Sequence, residues 1–285
     1  MFNLSIENSN GKLLELTQNE GRFQVIGIDG LNPPKAQINR STVAGMDGSK
    51  FNSSKLEERN IVITLRLNGE VETNRILLYS YFRTKERCKI YYSNDTRDVY
   101  AEGYIENVDT NLFEISEIMQ VSIICPDPYF KSAQEIVDDV SKVLAAFEFP
   151  FSITSTGVSF SELEMNKITN VLNQSESECG LEIDIYFSNS VSSLKIVNAS
   201  TGEEFTVNYS FLQNDRVTIV TTKGQKSIKL QRGATTINLF GSIVRGSVFF
   251  QLGVGDNYFT YSADSGTKDQ AVNVVFRHYT VYRGV

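Results

Sequence analysis

Two prolines set two residues apart, Pro126 and Pro128, place the strongest constraint on this chain. They interrupt the run Met119–Phe130, which reads Met-Gln-Val-Ser-Ile-Ile-Cys-Pro-Asp-Pro-Tyr-Phe. Val121, Ile123 and Cys125 alternate with Gln120, Ser122 and Ile124, the pattern of a largely buried strand. Each proline removes a backbone donor, so no central strand continues through them. Each also pushes the residue before it, Cys125 or Asp127, away from the helical region. A strand therefore ends in a stiff, extended corner. The texture of the chain changes there, which predicts a first domain over 1–130, a linker over 131–150 and a second domain over 151–285.

The first domain reads as mixed. Residues 2–6 and 12–16 form two short strands joined at Asn10-Gly11, a pair suited to a tight hairpin turn. A further strand covers 23–28, and Pro33-Pro34 then force an extended path. Ile61, Ile63, Leu65 and Leu67 alternate with Val62, Thr64 and Arg66, as in a strand with one buried face. Between them lies a polar, glycine-rich tract with strand character at both ends. It reads as an arm whose open edges are available to partners. Residues 72–86 are expected to be helical, capped by Thr73 or Asn74, with Arg83, Lys85 and Arg87 near the negative end. Strands follow at 87–92, 99–108 and 119–125. One helix among strands indicates an α+β, barrel-like domain.

In the linker, Ile136, Val140, Val143, Leu144 and Phe147 recur at helical spacing, so a short helix is expected over 134–147, ended by Pro150. From Phe151 the pattern is strand after strand, at intervals typical of sandwiches, with turns at Thr201-Gly202, Lys223-Gly224 and Gly253–Asn257. The fold class is mainly β with minor α: the barrel-like domain, then a jelly-roll β-sandwich.

The formal net charge of −7 is shared between the two halves. Neither half is the polycation that grips a phosphate backbone. Cys88, Cys125 and Cys179 are odd in number and lack metal or disulfide-framework spacing, so Cys88 and Cys125 read as small buried hydrophobes. The start of the chain lacks signal-peptide character, and no apolar run approaches the length that spans a bilayer. Synthesis in the cytoplasm without membrane insertion is expected.

Evidence for catalysis is sparse, and no catalytic, cofactor or metal residues are assigned. His278, the only histidine, has no sequence-adjacent acidic or cysteine partner and reads as a surface or interface residue. Asp138-Asp139 and Glu203-Glu204 read as solvated faces. Asp29-Gly30, Asp47-Gly48 and Asp256-Asn257 read as turns and lack the ligand run of an EF-hand. Tyr258, Phe259 and Tyr261 beside the Gly253–Asn257 turn are candidate contacts for a sugar or a protein partner. They support an alternative reading as a carbohydrate-binding module acting at the bacterial surface.

An ordered series then points to a family. It comprises Ile168-Thr169-Asn170, Thr201-Gly202-Glu203-Glu204, Asp215-Arg216-Val217-Thr218-Ile219, the run from Thr221 to Lys226, and Phe249-Phe250-Gln251-Leu252-Gly253-Val254-Gly255-Asp256-Asn257. With Cys125 and Asp127-Pro128-Tyr129-Phe130, the series resembles the distal tail proteins of long-tailed bacteriophages over nearly the whole chain. It departs from the family pattern at Asn173–Glu176 and in the Ser190–Ser193 loop. The resemblance implies a structural, non-enzymatic baseplate hub protein without cofactors, located at the virion tail tip and made in the host bacterial cytoplasm. It implies that the first domain forms a homo-hexameric ring through which DNA only passes, and that the second is a galectin-like sandwich at the ring's periphery. Implied partners are the tail tube protein, a tail-tip or tail-associated protein, and receptor-binding proteins. It further implies that the arm between Pro34 and Arg59 meets a neighbouring subunit, with Arg40, Thr42, Met46 and Phe51 as contact residues.

Overall fold

The computed structural model describes residues 2–16, 18–19, 21–42, 44–45, 47–111, 117–139, 168–263 and 272–285. The chain divides into two compact units, Met1–Ala133 with Val281–Val285, and Gln134–Thr280.

The first unit is built on β1 (Asn3–Glu7), β2 (Leu13–Leu16), β3 (Phe23–Asp29), β6 (Arg59–Leu67), β7 (Arg87–Ser93), β8 (Asp98–Thr110) and β9 (Ile118–Cys125). They form an antiparallel sheet in the order β2-β1-β7-β8-β9-β6-β3. The end strands β2 and β3 lie against each other, so the sheet curls towards a barrel. Period-2 alternation turns Ile61, Ile63, Leu65, Val121, Ile123 and Cys125 into one buried face. Cys88 lies directly across from Gly103, and a Cβ on Gly103 would come within 2.8 Å of Cys125 Sγ and within 2.7 Å of Ile123 Cγ2. Glycine is what lets these strands close together. Burial pushes both the Cys88 and the Cys125 thiols up to about 12.

The helix α1 (Val71–Tyr81) is shorter than expected and begins earlier. Asn74 is therefore inside it and is not its cap. Its buried amide donates to Asn68 O and accepts from Arg22 Nε, which ties the helix to the barrel. The basic residues Arg83, Lys85 and Arg87 lie beyond the last turn, where Lys85 takes a left-handed φ of 71°.

After β9 the proline corner turns the chain, and Asp127 Oδ1 accepts from the Tyr129 amide (3.2 Å). Strand β10 (Phe130–Ser132) then pairs with β8 and with β21 (Val281–Tyr282), the end of the chain. The two units divide the chain differently from the bounds expected from sequence: residues 131–133 and 281–285 belong with the first unit, and the second begins at Gln134, inside the expected linker. Phe130 pairs with Tyr282, an association with no local signal.

Arg59 fixes this convergence. It is only 2% exposed. Its guanidinium donates to the carbonyls of Gly30, Asn32, Pro128 and Arg283. It also lies 4.3 Å from the centroid of the Phe130 ring. Gly30 has a φ of +87°, and a Cβ there would strike Asn60 O at 2.0 Å.

The second unit is a sandwich. One sheet has the order β11-β20-β13-β16-β17-β18, from Ile136–Asp139, Val272–His278, Glu182–Phe187, Arg216–Val220, Ser227–Arg232 and Thr235–Asn238. The other has the order β12-β19-β14-β15, from Thr169–Asn173, Gly255–Ala263, Val191–Asn198 and Glu203–Phe211. Strand β11 replaces the start of the helix expected over 134–147; edge pairing with β20 overrides the helical spacing. The remainder of that helix, and Pro150, fall outside the described residues. The core is aromatic: Phe187 stacks on Phe211 at 4.4 Å, and Phe259 packs against Phe250 and Phe276. On the other face of β13, Asp184 is fully buried beneath a bidentate Arg216 (3.0 and 2.8 Å), Arg277 (3.1 Å) and the Thr218 hydroxyl (2.7 Å). Charge-assisted bonds of this kind hold a carboxylate where water does not reach it.

Arg59→Ala removes the guanidinium donor from the carbonyls of Gly30, Asn32, Pro128 and Arg283, and a hydrogen bond to a charged group contributes roughly 1.5–3 kcal/mol. Urea unfolding is expected to show the first unit destabilised by about 3 kcal/mol or more. A change under about 0.5 kcal/mol, the usual surface effect, would contradict the role assigned to Arg59.

Candidate functional site

Between β3 and β6 the chain leaves the barrel as a two-stranded ribbon, β4 (Ala36–Ser41) and β5 (Lys50–Leu56), hydrogen-bonded to no other described strand. Register sets its chemistry. Ala36 lies opposite Leu56, Ile38 opposite Ser54 and Arg40 opposite Phe51, with a bulge between Asn39 and Arg40. Directly opposed residues share a face. One face therefore carries Ala36, Ile38, Phe51 and Leu56 around Arg40, while the other carries Gln37, Asn39, Ser41, Lys50, Ser53 and Lys55. The ribbon is amphipathic, yet its apolar face is open: Ile38 is 59% and Phe51 61% exposed. Isolated two-stranded hairpins are marginal in water. This one is rooted by Arg59, which follows β5 and bonds to Gly30 and Asn32 ahead of β4, and by the Glu57 amide on Lys35 O (2.9 Å).

Of the expected arm residues, Arg40 and Phe51 stand opposite each other and Thr42 is exposed just past β4. Met46 lies outside the described residues. Sequence reasoning missed Ile38, although its place two residues before Arg40 on a strand puts it on the same face.

The aromatic trio of the sandwich does not form one surface. Strand alternation separates its members. Tyr258 faces outward (43% exposed), diagonal to the exposed Ile168 and Leu172. Phe259 faces inward and is 1% exposed, packed in the core. Tyr261 also turns inward, and its hydroxyl donates to Val272 O (3.1 Å). Of the three residues expected to stack on a sugar or partner, Phe259 is therefore withdrawn into the core, Tyr261 is engaged through its hydroxyl, and Tyr258 lies on the outer face beside Ile168 and Leu172. The Gly253–Asn257 turn is structural: Asn257 Nδ2 donates to Gly253 O and Gly255 O, and its Oδ1 accepts from the Gly253 amide.

His278 is buried and not at the surface, because β20 turns it inward beside β11. Among the described residues neither ring nitrogen nor Asp138 Oδ2 has a well-aligned hydrogen-bond partner, and the Leu172 backbone makes only a weaker approach to the imidazole. Asp138 is thus no solvated face. Burial holds the His278 pKa below its ordinary value, with Asp138 opposing, and burial raises that of Asp138. Among the described residues no cluster of three or more His, Cys, Asp or Glu is placed to hold a metal. None of the described helices is long and apolar enough to cross a membrane.

The fold defines a two-unit, mainly β protein whose first unit carries an exposed two-stranded ribbon. Residues 9–123 match the family model of the phage tail protein RIFT-related domain. Residues 174–278 match that of the siphovirus-type tail component, C-terminal domain. The chain belongs to the siphophage distal tail proteins and is a structural component of the phage tail. Among solved structures it is similar to the Dit protein of phage SPP1, described as a paradigm of the hub adsorption apparatus in phages infecting Gram-positive bacteria. The identity is 16%, the TM-score 0.68, and the match covers 98% of this chain and 99% of that one. It is also similar to a chain of the phage P2 baseplate in its activated conformation with Ca, at 13% identity and a TM-score of 0.56, covering 98% of each chain. No curated protein sequence matches it.

The folded pKa of His278 lies below that of the unfolded chain, so the unfolded state takes up more protons as pH falls and stability falls with it. This loss begins below about pH 6.5. Asp138 has the opposite sign, starting from the ordinary carboxylate range. Between about pH 7.5 and 5.5, the urea midpoint of the second unit is expected to drop more steeply in the parent than in His278→Leu. Parallel profiles would contradict the buried, neutral imidazole.

Proposed function

We propose that this protein is the baseplate hub at the distal end of the tail. Six copies close into a ring that joins the tail tube to the tip and adsorption apparatus and leaves a channel through which DNA passes. The observation that carries the reading is the β4–β5 ribbon, whose apolar face, with Ile38 and Phe51, is uncovered in the single chain. Burying it on a neighbour removes apolar surface from water, at roughly 25 cal/mol per Å2. It also supplies the company that a lone hairpin needs. The net charge of −7 suits a lumen that lets DNA slide without gripping it. The family membership and the likeness to hub and baseplate proteins support the same reading. The protein acts by assembly and not by catalysis. It is made in the host cytoplasm and incorporated at the tail tip, with the tail tube protein, a tail-tip protein and receptor-binding proteins as partners. Tyr258, Ile168 and Leu172 are the contact surface that the sandwich unit offers to such proteins.

Sedimentation velocity at micromolar protein is expected to show an assembly of six 32.0-kDa chains. Replacing residues 36–56 with a short Gly-Ser turn is expected to leave a folded monomer. A strict monomer that stays monomeric in isolated baseplates would refute the ring. An intact ring without the ribbon would refute the role given to the arm.

A further inference from the structure

If the ribbon builds the ring, a neighbour must receive it, and the first unit carries one surface of the right chemistry. A groove of about 1060 Å3 runs over β1, β2 and β7. Its charged lining is Glu7, Glu15 and Asp98, and no described lysine or arginine lines it. Lys89 lies across from Glu7, but its ammonium is directed to Glu102 (3.7 Å) and to the Tyr100 ring. Glu15 and Asp98 are exposed, and neither has an ion-pair partner among the described residues. Phe2, Leu13 and Tyr91 add apolar surface, with Leu13 52% exposed on the edge strand β2. The Tyr91 hydroxyl donates to Glu7 (2.7 Å) and holds that carboxylate at the groove floor.

The ribbon is the complement of this surface. Its strands carry Arg40, Lys50 and Lys55 and no acidic residue, although the chain as a whole is acidic. Its apolar face is uncovered, as is Leu13. We infer that the acidic groove over β1, β2 and β7 receives the β4–β5 ribbon of a second copy of the chain, with Arg40, which shares the ribbon's apolar face, meeting Glu15 and Asp98, and Ile38 and Phe51 packing on Leu13 and Phe2. Donor and acceptor are different surfaces, so the contact is heterologous. Such contacts propagate head to tail and end only in a closed ring or an open filament. The opposite charges steer the encounter and reject a groove-to-groove pairing, in which carboxylates would face each other.

This inference rests on the ring reading, and a charge swap separates the two. Full-length chains are prepared with the groove reversed (Glu15→Lys with Asp98→Lys), with the ribbon reversed (Arg40→Glu), and with both changes together. All three substituted side chains are exposed, and circular dichroism with urea unfolding checks that each monomer folds as the parent does. Sedimentation velocity reads the assembly. Each single reversal is expected to weaken it roughly tenfold or more, and the combined chain to recover it. Added salt is expected to weaken the parent assembly. Loss of assembly on ribbon deletion with none on groove reversal would overturn the groove while leaving the arm's role standing. Assembly that survives ribbon deletion would overturn both. Weakening in both single reversals without recovery in the combined chain would also overturn the pairing.

Discussion

One buried guanidinium holds the first unit to its form. Arg59 binds four backbone carbonyls from three distant stretches of chain: Gly30 and Asn32 before the ribbon, Pro128 in the proline corner, and Arg283 at the returning end. Burial lowers its pKa, while Cys125 and Asp127 act in the opposite sense. The planar fork suits several acceptors at once, as a lysine ammonium would not. Because Arg59 opens β6 directly after the ribbon, the same contact that closes the fold also clamps the ribbon's root. A two-stranded ribbon with no core of its own is thereby presented from a rigid base, which reduces the ordering cost of docking it.

The proline corner acquires its meaning from this arrangement. Pro126 and Pro128 end β9 and free the Pro128 carbonyl for Arg59, and Phe130 then lies under the guanidinium. The chain passes into the sandwich after Ala133 and comes back after Thr280. The second unit is therefore inserted between strands of the first, β10 and β21. The sandwich has a comparable device in Asp184 under Arg216 and Arg277. In each unit a buried charge is satisfied by groups far apart in sequence, which specifies one packing among many apolar alternatives.

Much of this was legible in the chain, for a physical reason. Runs such as Ile61–Leu67 and Leu181–Phe187 alternate with period 2, because a sheet buries every second residue. The barrel-like unit, the sandwich and the arm followed from such runs and from the glycine-rich tract between Pro34 and Arg59. What failed was what depends on distant partners. Ile136–Asp139 has residues compatible with a helix, but β20, far along the chain, offers it a sheet edge. Phe130 and Tyr282 pair across the whole second unit. Nothing local marks Arg59 as buried or His278 as inward-facing. The Phe259 error was avoidable: alternation through Tyr258, Phe259 and Thr260 assigns neighbours to opposite faces, so adjacent aromatics on a strand cannot form one platform.

The central claim is that an uncovered amphipathic ribbon, rooted by Arg59, joins each chain to the next. Electron-microscopic reconstruction of the assembled protein, at a resolution that traces strands, tests it most directly. The account predicts a closed ring with residues 36–56 of every chain lying on the β1–β2 side of its neighbour. A ring whose subunits meet through other surfaces while the ribbon stands free in solvent would contradict it.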